Sequence, residues 1–277
     1  MFTSWNLKKV FSGEHLRVRS HGGDVDDRQS RIPGFCQKTL SSLTILAAGA
    51  GGLMSAIGEA LARKGIGHLI ITDEDRVEPS NLNRQKFYKR DIYKNKAHCL
   101  ARNLAKESFL GSKVTGIALN FMGAVRSGLI AEYDGILCGI DDELAREEIA
   151  EYALTEQKPL ITTAVSLDGD GGYVHVYKPG GGCWGCAFPR ERRLRDDLAN
   201  YRTPCGHSAA VKDILNVVSG AVVYALDCIF MERPIAWNYR EFHLAGYMPD
   251  QAKRIERRAD CQLCGREITG GEIHKNS

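Results

Sequence analysis

"TILAAGAGGLMSAIGEAL", residues 44–61, decides how the rest of this chain is read. An aliphatic run, LTILAAG (43–49), ends in glycines. Leu53, Ile57 and Leu61 then recur on one helical face with Ala56 and Ala60 beside them, until Gly65 and Gly67 close the pattern. Strand, glycine loop and helix in that order open a nucleotide-binding α/β unit, in which Gly49, Gly51 and Gly52 let backbone N–H groups and a helix N-terminus approach phosphates. The alternative is a tight turn with no ligand. A dinucleotide fingerprint, G-x-G-x-x-G, would place its third glycine where Met54 stands.

Outward from that stretch the alternation continues. HLIITDED (68–75) reads as a second strand ending in acids, NKAHCLARNLAKESF (95–109) as a helix and KVTGIALN (113–120) as a strand. DGILCGI (134–140) is a further buried strand and DELAREEIAEYALTEQ (142–157) a helix with its charges on one side. This predicts a Rossmann-like, doubly wound, mainly parallel sheet. Beyond residue 158, PLITTAVSLDG and GYVHVYKPG predict two strands joined by a Gly/Asp-rich turn, an antiparallel extension. Residues 1–35 read as an arm and 36–277 as one domain, with a charged loop over 190–206 and a helix over 207–231.

Composition narrows the class. The 277 residues are 43% hydrophobic and carry a formal net charge of +3, enough for a sizeable core and too little basic character for a dedicated nucleic-acid binder. The N-terminal stretch lacks the uninterrupted apolar core of a secretory signal, so a cytoplasmic location is expected. LNVVSGAVVYALDCIF (215–230) is broken by Asn216, Ser219 and Asp227, which suits a helix packed inside a globule and not a membrane span.

Nine cysteines in such a chain would be free thiols, metal ligands or nucleophiles. Two CxxC pairs, Cys183/Cys186 and Cys261/Cys264, have the spacing of a structural, four-thiolate zinc site with no open position; a redox CxxC is the rival for either pair alone. Cys36, Cys99, Cys138 and Cys228 lie in or beside apolar runs and read as buried or partly buried. Cys205, in RTPCGHSAA, differs: it sits just before a helix, near Arg202, a setting that favours the nucleophilic thiolate, with an unreactive surface thiol as the alternative.

The segment EDRVEPSNLNRQKF (74–87) has little apolar content and carries Asn81, Asn83, Arg84 and Gln85. "GAGGL", "TDEDRV", "SNLNRQ", a helix-borne "NKA" and an acid pair after "GILCGI" occur in this order, and over roughly residues 28–265 the chain resembles the ubiquitin-activating-enzyme-like adenylating family that includes MoeB and ThiF. The resemblance implies that ATP adenylates the C-terminal glycine carboxylate of a ubiquitin-like protein. It further implies that Arg84 and Lys96 hold triphosphate oxygens, Asn81 and Gln85 orient the nucleotide, Asp73 binds ribose with Asp75 beside it, and Asp141 holds Mg²⁺. Each has a structural alternative: Arg84 and Lys96 as solvated charges, Asn81 as a turn former, Asp141 as the cap of the following helix.

The resemblance also implies a homodimer in which an arginine of DRQSRIPGF (27–35), Arg31 or Arg28, reaches the partner's ATP. It implies further that Cys205 occupies the loop where some relatives form a thioester before transfer to a conjugating enzyme. The rival within the family is activation of a sulfur carrier for cofactor biosynthesis. The size suggests a minimal, bacterial version. Met54, Asn95 in place of a frequent proline and Asp142 in place of a frequent asparagine are departures. From other classes, a nicotinamide-dependent oxidoreductase and a zinc-dependent nucleic-acid module are the alternatives; SNLNRQ and the mild charge oppose them.

Overall fold

A computed structural model describes residues 24–166, 168–189 and 211–265. Its strands are β1 (Thr44–Ala48), β2 (His68–Thr72), β3 (Lys113–Ile117), β4 (Gly135–Cys138), β5 (Leu160–Val165), β6 (Gly171–Tyr177), β7 (Tyr239–His243) and β8 (Gln251–Lys253). They form one sheet in the order β3-β2-β1-β4-β5-β6-β7-β8. The pairs from β3 through β5 are parallel, and those from β5 through β8 antiparallel. The fold is therefore the doubly wound, mainly parallel sheet with an antiparallel extension that the strand–helix alternation predicts. The Gly/Asp-rich turn after residue 165 joins β5 to β6 in the pairing Val165↔Gly172.

The helices are α1 (Asp27–Ser30), α2 (Gln37–Ser42), α3 (Gly52–Lys64), α4 (Lys96–Ala105), α5 (Phe121–Arg126), α6 (Glu143–Thr155), α7 (Trp184–Ala187) and α8 (Lys212–Phe230). Strand residues alternate between two cores, as a sheet covered on both faces requires. Ile45 and Ala47 of β1 join Leu53, Ile57, Leu100, Leu104, Val218 and Val222 beneath α3, α4 and α8. Leu46 and Ala48 join Phe121, Ile149, Ala153 and Trp184 beneath α5, α6 and α7. Helix α8 is long and apolar enough to cross a membrane, and 61% of that stretch is buried within the protein.

Several boundaries move. β2 and β3 stop at Thr72 and Ile117, which leaves the acids 73–75 outside the sheet, and α4 ends at Ala105, before Gly111 turns the chain at φ +83°. β7 and β8 escape the sequence pattern because they are short and charged, and pair across the sheet edge. Cys36 is exposed, contrary to expectation: it stands at the N-cap of α2 with an extended backbone, outside the helix whose buried residue is Leu40. Cys99, Cys138 and Cys228 are buried.

Candidate functional site

The parallel order places β1 beside β4, and connections leave them toward opposite faces, so a crevice opens beyond their carboxyl ends. Gly49 lies at that point with φ +91° and donates its N–H to Thr72 O at 2.9 Å. Gly51 caps α3, and a Cβ there would meet nothing within 4 Å, so the space above it is open to a ligand. Gly52 packs against Leu215 of α8. Because Ser55 N–H makes the bond to Gly51 O, the amides before it face out of the helix N-terminus. Met54, fully buried, leaves the strand–helix packing intact. The close approach instead falls at Gly58, where a Cβ would come within 2.5 Å of Leu104 Cδ1.

Asp73, half-buried at the end of β2, is fixed to this loop. Its Oδ2 accepts from Ala50 N–H at 2.7 Å and its Oδ1 from Asp75 N–H at 2.8 Å. Burial pushes its carboxyl up, while the amide bonds and the Lys96 charge oppose the shift. Lys96 opens α4, where a cation opposes the helix dipole, and its ammonium rests 2.9 Å from Asp75 Oδ2 with its side chain 16% exposed.

Asn95, which sequence reasoning noted only as a departure, ties these parts together. It donates Nδ2 to Asp73 O at 2.8 Å and Asp75 O at 3.2 Å, and caps α4 by accepting from His98 N–H. Its position one residue before a helix was the available signal.

The polar run divides. Asn81 Oδ1 accepts from Glu78 N–H at 2.9 Å within a 3₁₀ turn, so it is at least a turn former. Arg84 donates to Ser80 O and Asn83 Oδ1 and has no carboxylate partner among the described residues. Gln85 Oε1 is buried without a partner among them.

Across the crevice, Gly139 N–H bonds to Ala48 O, and a Cβ on Gly49 would lie 3.0 Å from Ile140 Cγ2. The loop after β4 therefore abuts the glycine loop. Asp142, not Asp141, caps α6, accepting from Ala145 N–H at 2.6 Å. Asp141 is exposed and makes no hydrogen bond or ion pair among the described residues. Half-buried Arg146, also unforeseen, holds the same loop by donating Nε to Ile140 O at 2.8 Å.

Arg31 does not join the crevice of its own chain. It is paired with Asp27, and α1 docks through Gln29 Nε2 on Lys64 O at the C-terminal end of α3. The 13 residues of α3 separate the two ends by about 20 Å. Cys205 and the loop over 190–206 lie outside the described residues.

The four CxxC cysteines converge as their spacing predicts. Their sulfurs lie within 4.8 Å of one another and are buried, with separations of 3.8 Å (Cys183–Cys186), 3.6 Å (Cys183–Cys261) and 3.4 Å (Cys186–Cys264). Tetrahedral Zn–S bonds of ~2.3 Å require S–S edges of ~3.8 Å, so the cluster could hold zinc. Arg258 N–H points at Cys186 Sγ, 3.4 Å away. Burial, followed by the proximity of Cys186, pushes the Cys183 thiol up; a bound cation reverses that preference.

The ThiF family profile matches residues 24–262. The chain is 26% identical over 271 residues to the ATP-dependent ubiquitin transferase-like protein Cap2 of Escherichia coli (strain TW11681), covering 89% of this chain and 44% of that one. It is 28% identical over 234 residues to the sulfur carrier protein ThiS adenylyltransferase of Escherichia coli K12, covering 83% of this chain and 88% of that one. It spans less than half the length of several curated relatives. In fold it is similar to E. coli MccB solved with MccA-N7isoAsn, at a TM-score of 0.69 and 22% identity over 83% of this chain and 69% of that one.

Proposed function

This chain belongs to the ThiF family, and from that premise we propose that it uses ATP and Mg²⁺ to adenylate the C-terminal glycine of a ubiquitin-like protein. One observation carries the reading: Ile140 abuts a glycine loop whose helix N-terminus opens onto free space, and the next residue, Asp141, has an exposed carboxylate without a partner among the described residues. The α3 amides, Lys96 and Arg84 hold the triphosphate, Lys96 exchanging Asp75 for phosphate oxygens. Asp73, with lone pairs still free, accepts from a ribose hydroxyl, and Gln85 Oε1 is an acceptor in want of a donor. Asp141 suits Mg²⁺, a hard cation that takes carboxylate and phosphate oxygens and neutralises charge on the departing pyrophosphate.

In the reaction the carrier carboxylate oxygen attacks the α-phosphorus. The bond from that phosphorus to the bridging α–β oxygen breaks, and pyrophosphate leaves. Catalysis is then mainly positioning and charge neutralisation. Attack of the Cys205 thiolate on the acyl adenylate would release AMP and form a thioester for transfer to a conjugating-type enzyme. The second reading, adenylation of a sulfur carrier without a thioester step, is favoured by the coverage of 88% of the ThiS adenylyltransferase against 44% of Cap2. Within either reading we place the protein in the cytoplasm as a homodimer. There Arg31, remote from its own crevice, serves the partner's.

The test is ATP–pyrophosphate exchange with purified carriers that end in glycine, wild type against Cys205→Ala. Exchange should require the carrier and persist in Cys205→Ala, which should lose a thiol-sensitive adduct on the conjugation reading. No exchange with any such carrier would sink both readings, and an adduct that survives in Cys205→Ala would assign the acceptor to another thiol.

A further inference from the structure

Lys86 follows Arg84 and Gln85 directly, and its peptide groups are gripped from two helices. Its N–H donates to Ser55 Oγ of α3 at 3.0 Å, and its carbonyl accepts from Asn103 Nδ2 of α4 at 2.9 Å. Its ammonium lies 2.9 Å from Glu59 Oε1 and 2.7 Å from Glu107 Oε1. Ser55 and Asn103 are 0% and 1% exposed. Asn103 Nδ2 also reaches Oδ2 of Asp91 at 2.8 Å. Asp91, itself 0% exposed, collects Tyr88 N–H at 3.0 Å and Arg102 Nη2 at 2.5 Å.

These polar groups stand inside helix faces where apolar side chains would pack without desolvation cost. Asn103 Oδ1 finds no partner among the described residues. A buried polar pair contributes little net stability over an apolar one of the same shape. What it does specify is location: the segment after Gln85 has one place to sit, against the first turn of the helix whose N-terminus faces the crevice.

We infer that Ser55 and Asn103 are positioning residues for adenylation, holding the Lys86 peptide so that Arg84 is set for the triphosphate before ATP binds. The inference rests on the ATP reading above. Preorganisation of this kind lowers the ordering cost of binding, so its loss should appear in nucleotide affinity. It should also act through Arg84.

The experiment is calorimetric titration of the full chain with Mg·AMPCPP. Ser55→Ala and Asn103→Ala should each weaken binding roughly 5- to 30-fold, the scale of one buried hydrogen bond. Ser112→Ala removes a comparable bond, from a buried hydroxyl to Ala62 O, away from the loop, and should leave affinity unchanged. In an Arg84→Ala background the Ser55→Ala change should cost less than about twofold, because residues acting through one another are not additive. Unchanged affinity in both Ser55→Ala and Asn103→Ala, or a full further loss on top of Arg84→Ala, would overturn the inference while wild-type binding stands. Absence of binding by the wild type would instead overturn the ATP reading itself. If Ser55→Ala does not fold, Asn103→Ala carries the same comparison and the same cycle with Arg84→Ala.

Discussion

Asp141 and Asp142 are adjacent carboxylates that the sequence could not tell apart by role. A helix cap and a metal ligand demand the same residue type. The structure identifies the cap, because Asp142 accepts from Ala145 N–H and Asp141 does not. The same limit holds for Asn81, whose turn-forming bond is visible only in place.

His175 on β6 is a residue that pattern reading passed over, and its burial has a measurable consequence. Burial pushes its imidazole down to about 4, with the Gly182 backbone opposing. The unfolded chain therefore binds a proton that the folded chain refuses between the ordinary value of about 6.5 and about 4, so this stability contribution is complete above that range and falls as pH drops through it. Up to roughly 3 kcal/mol is involved. Urea unfolding at pH 7, 5.5 and 4.5 should give a steeper loss for wild type than for His175→Leu; equal slopes would refute the assignment.

Helix α4 is the element on which the site's geometry hinges. Its periodicity and the "NKA" opening were legible in the sequence, but what brings its first turn to the crevice is a glycine on another strand. A Cβ on Gly116 of β3 would stand 2.3 Å from Ala97 O and 2.8 Å from His98 N. In a strand, such a glycine marks close approach of another backbone. Gly116→Ala should force α4 outward, cost about 1–3 kcal/mol in urea unfolding, and raise the KM for ATP by displacing Lys96. A stable variant with unchanged KM would show that α4 can be moved without consequence for the nucleotide. β7 and β8 teach the complementary lesson. YREFH and QAK carry too little apolar alternation to announce strands, and their pairing, β7 with β6 and β8 with β7, depends on a chain that returns from α8.

At the scale of the whole molecule, the cysteine cluster ties residues 78 positions apart and fastens the segment after β8 beneath β6. Cross-linking a loop of that length removes roughly 4 kcal/mol of unfolded-chain entropy. Metal analysis should find about one zinc per chain. Stripping it with a chelator, or replacing Cys261 and Cys264 by serine, should lower Tm and expose β7–β8 amides to hydrogen exchange first. An unchanged Tm in the metal-free protein would deny the cluster a stapling role. The sequence by itself determined the winding of the sheet, the glycine loop and the four zinc-compatible thiols, because periods of 2 and 3.6 and short fixed spacings are written along one dimension. Only the tertiary structure decided which carboxylate caps α6, which asparagine ties α4 to the Asp73 turn, and which buried hydroxyl holds the Lys86 peptide. Those choices rest on single hydrogen bonds, several between residues twenty or thirty positions apart, and no local pattern encodes them.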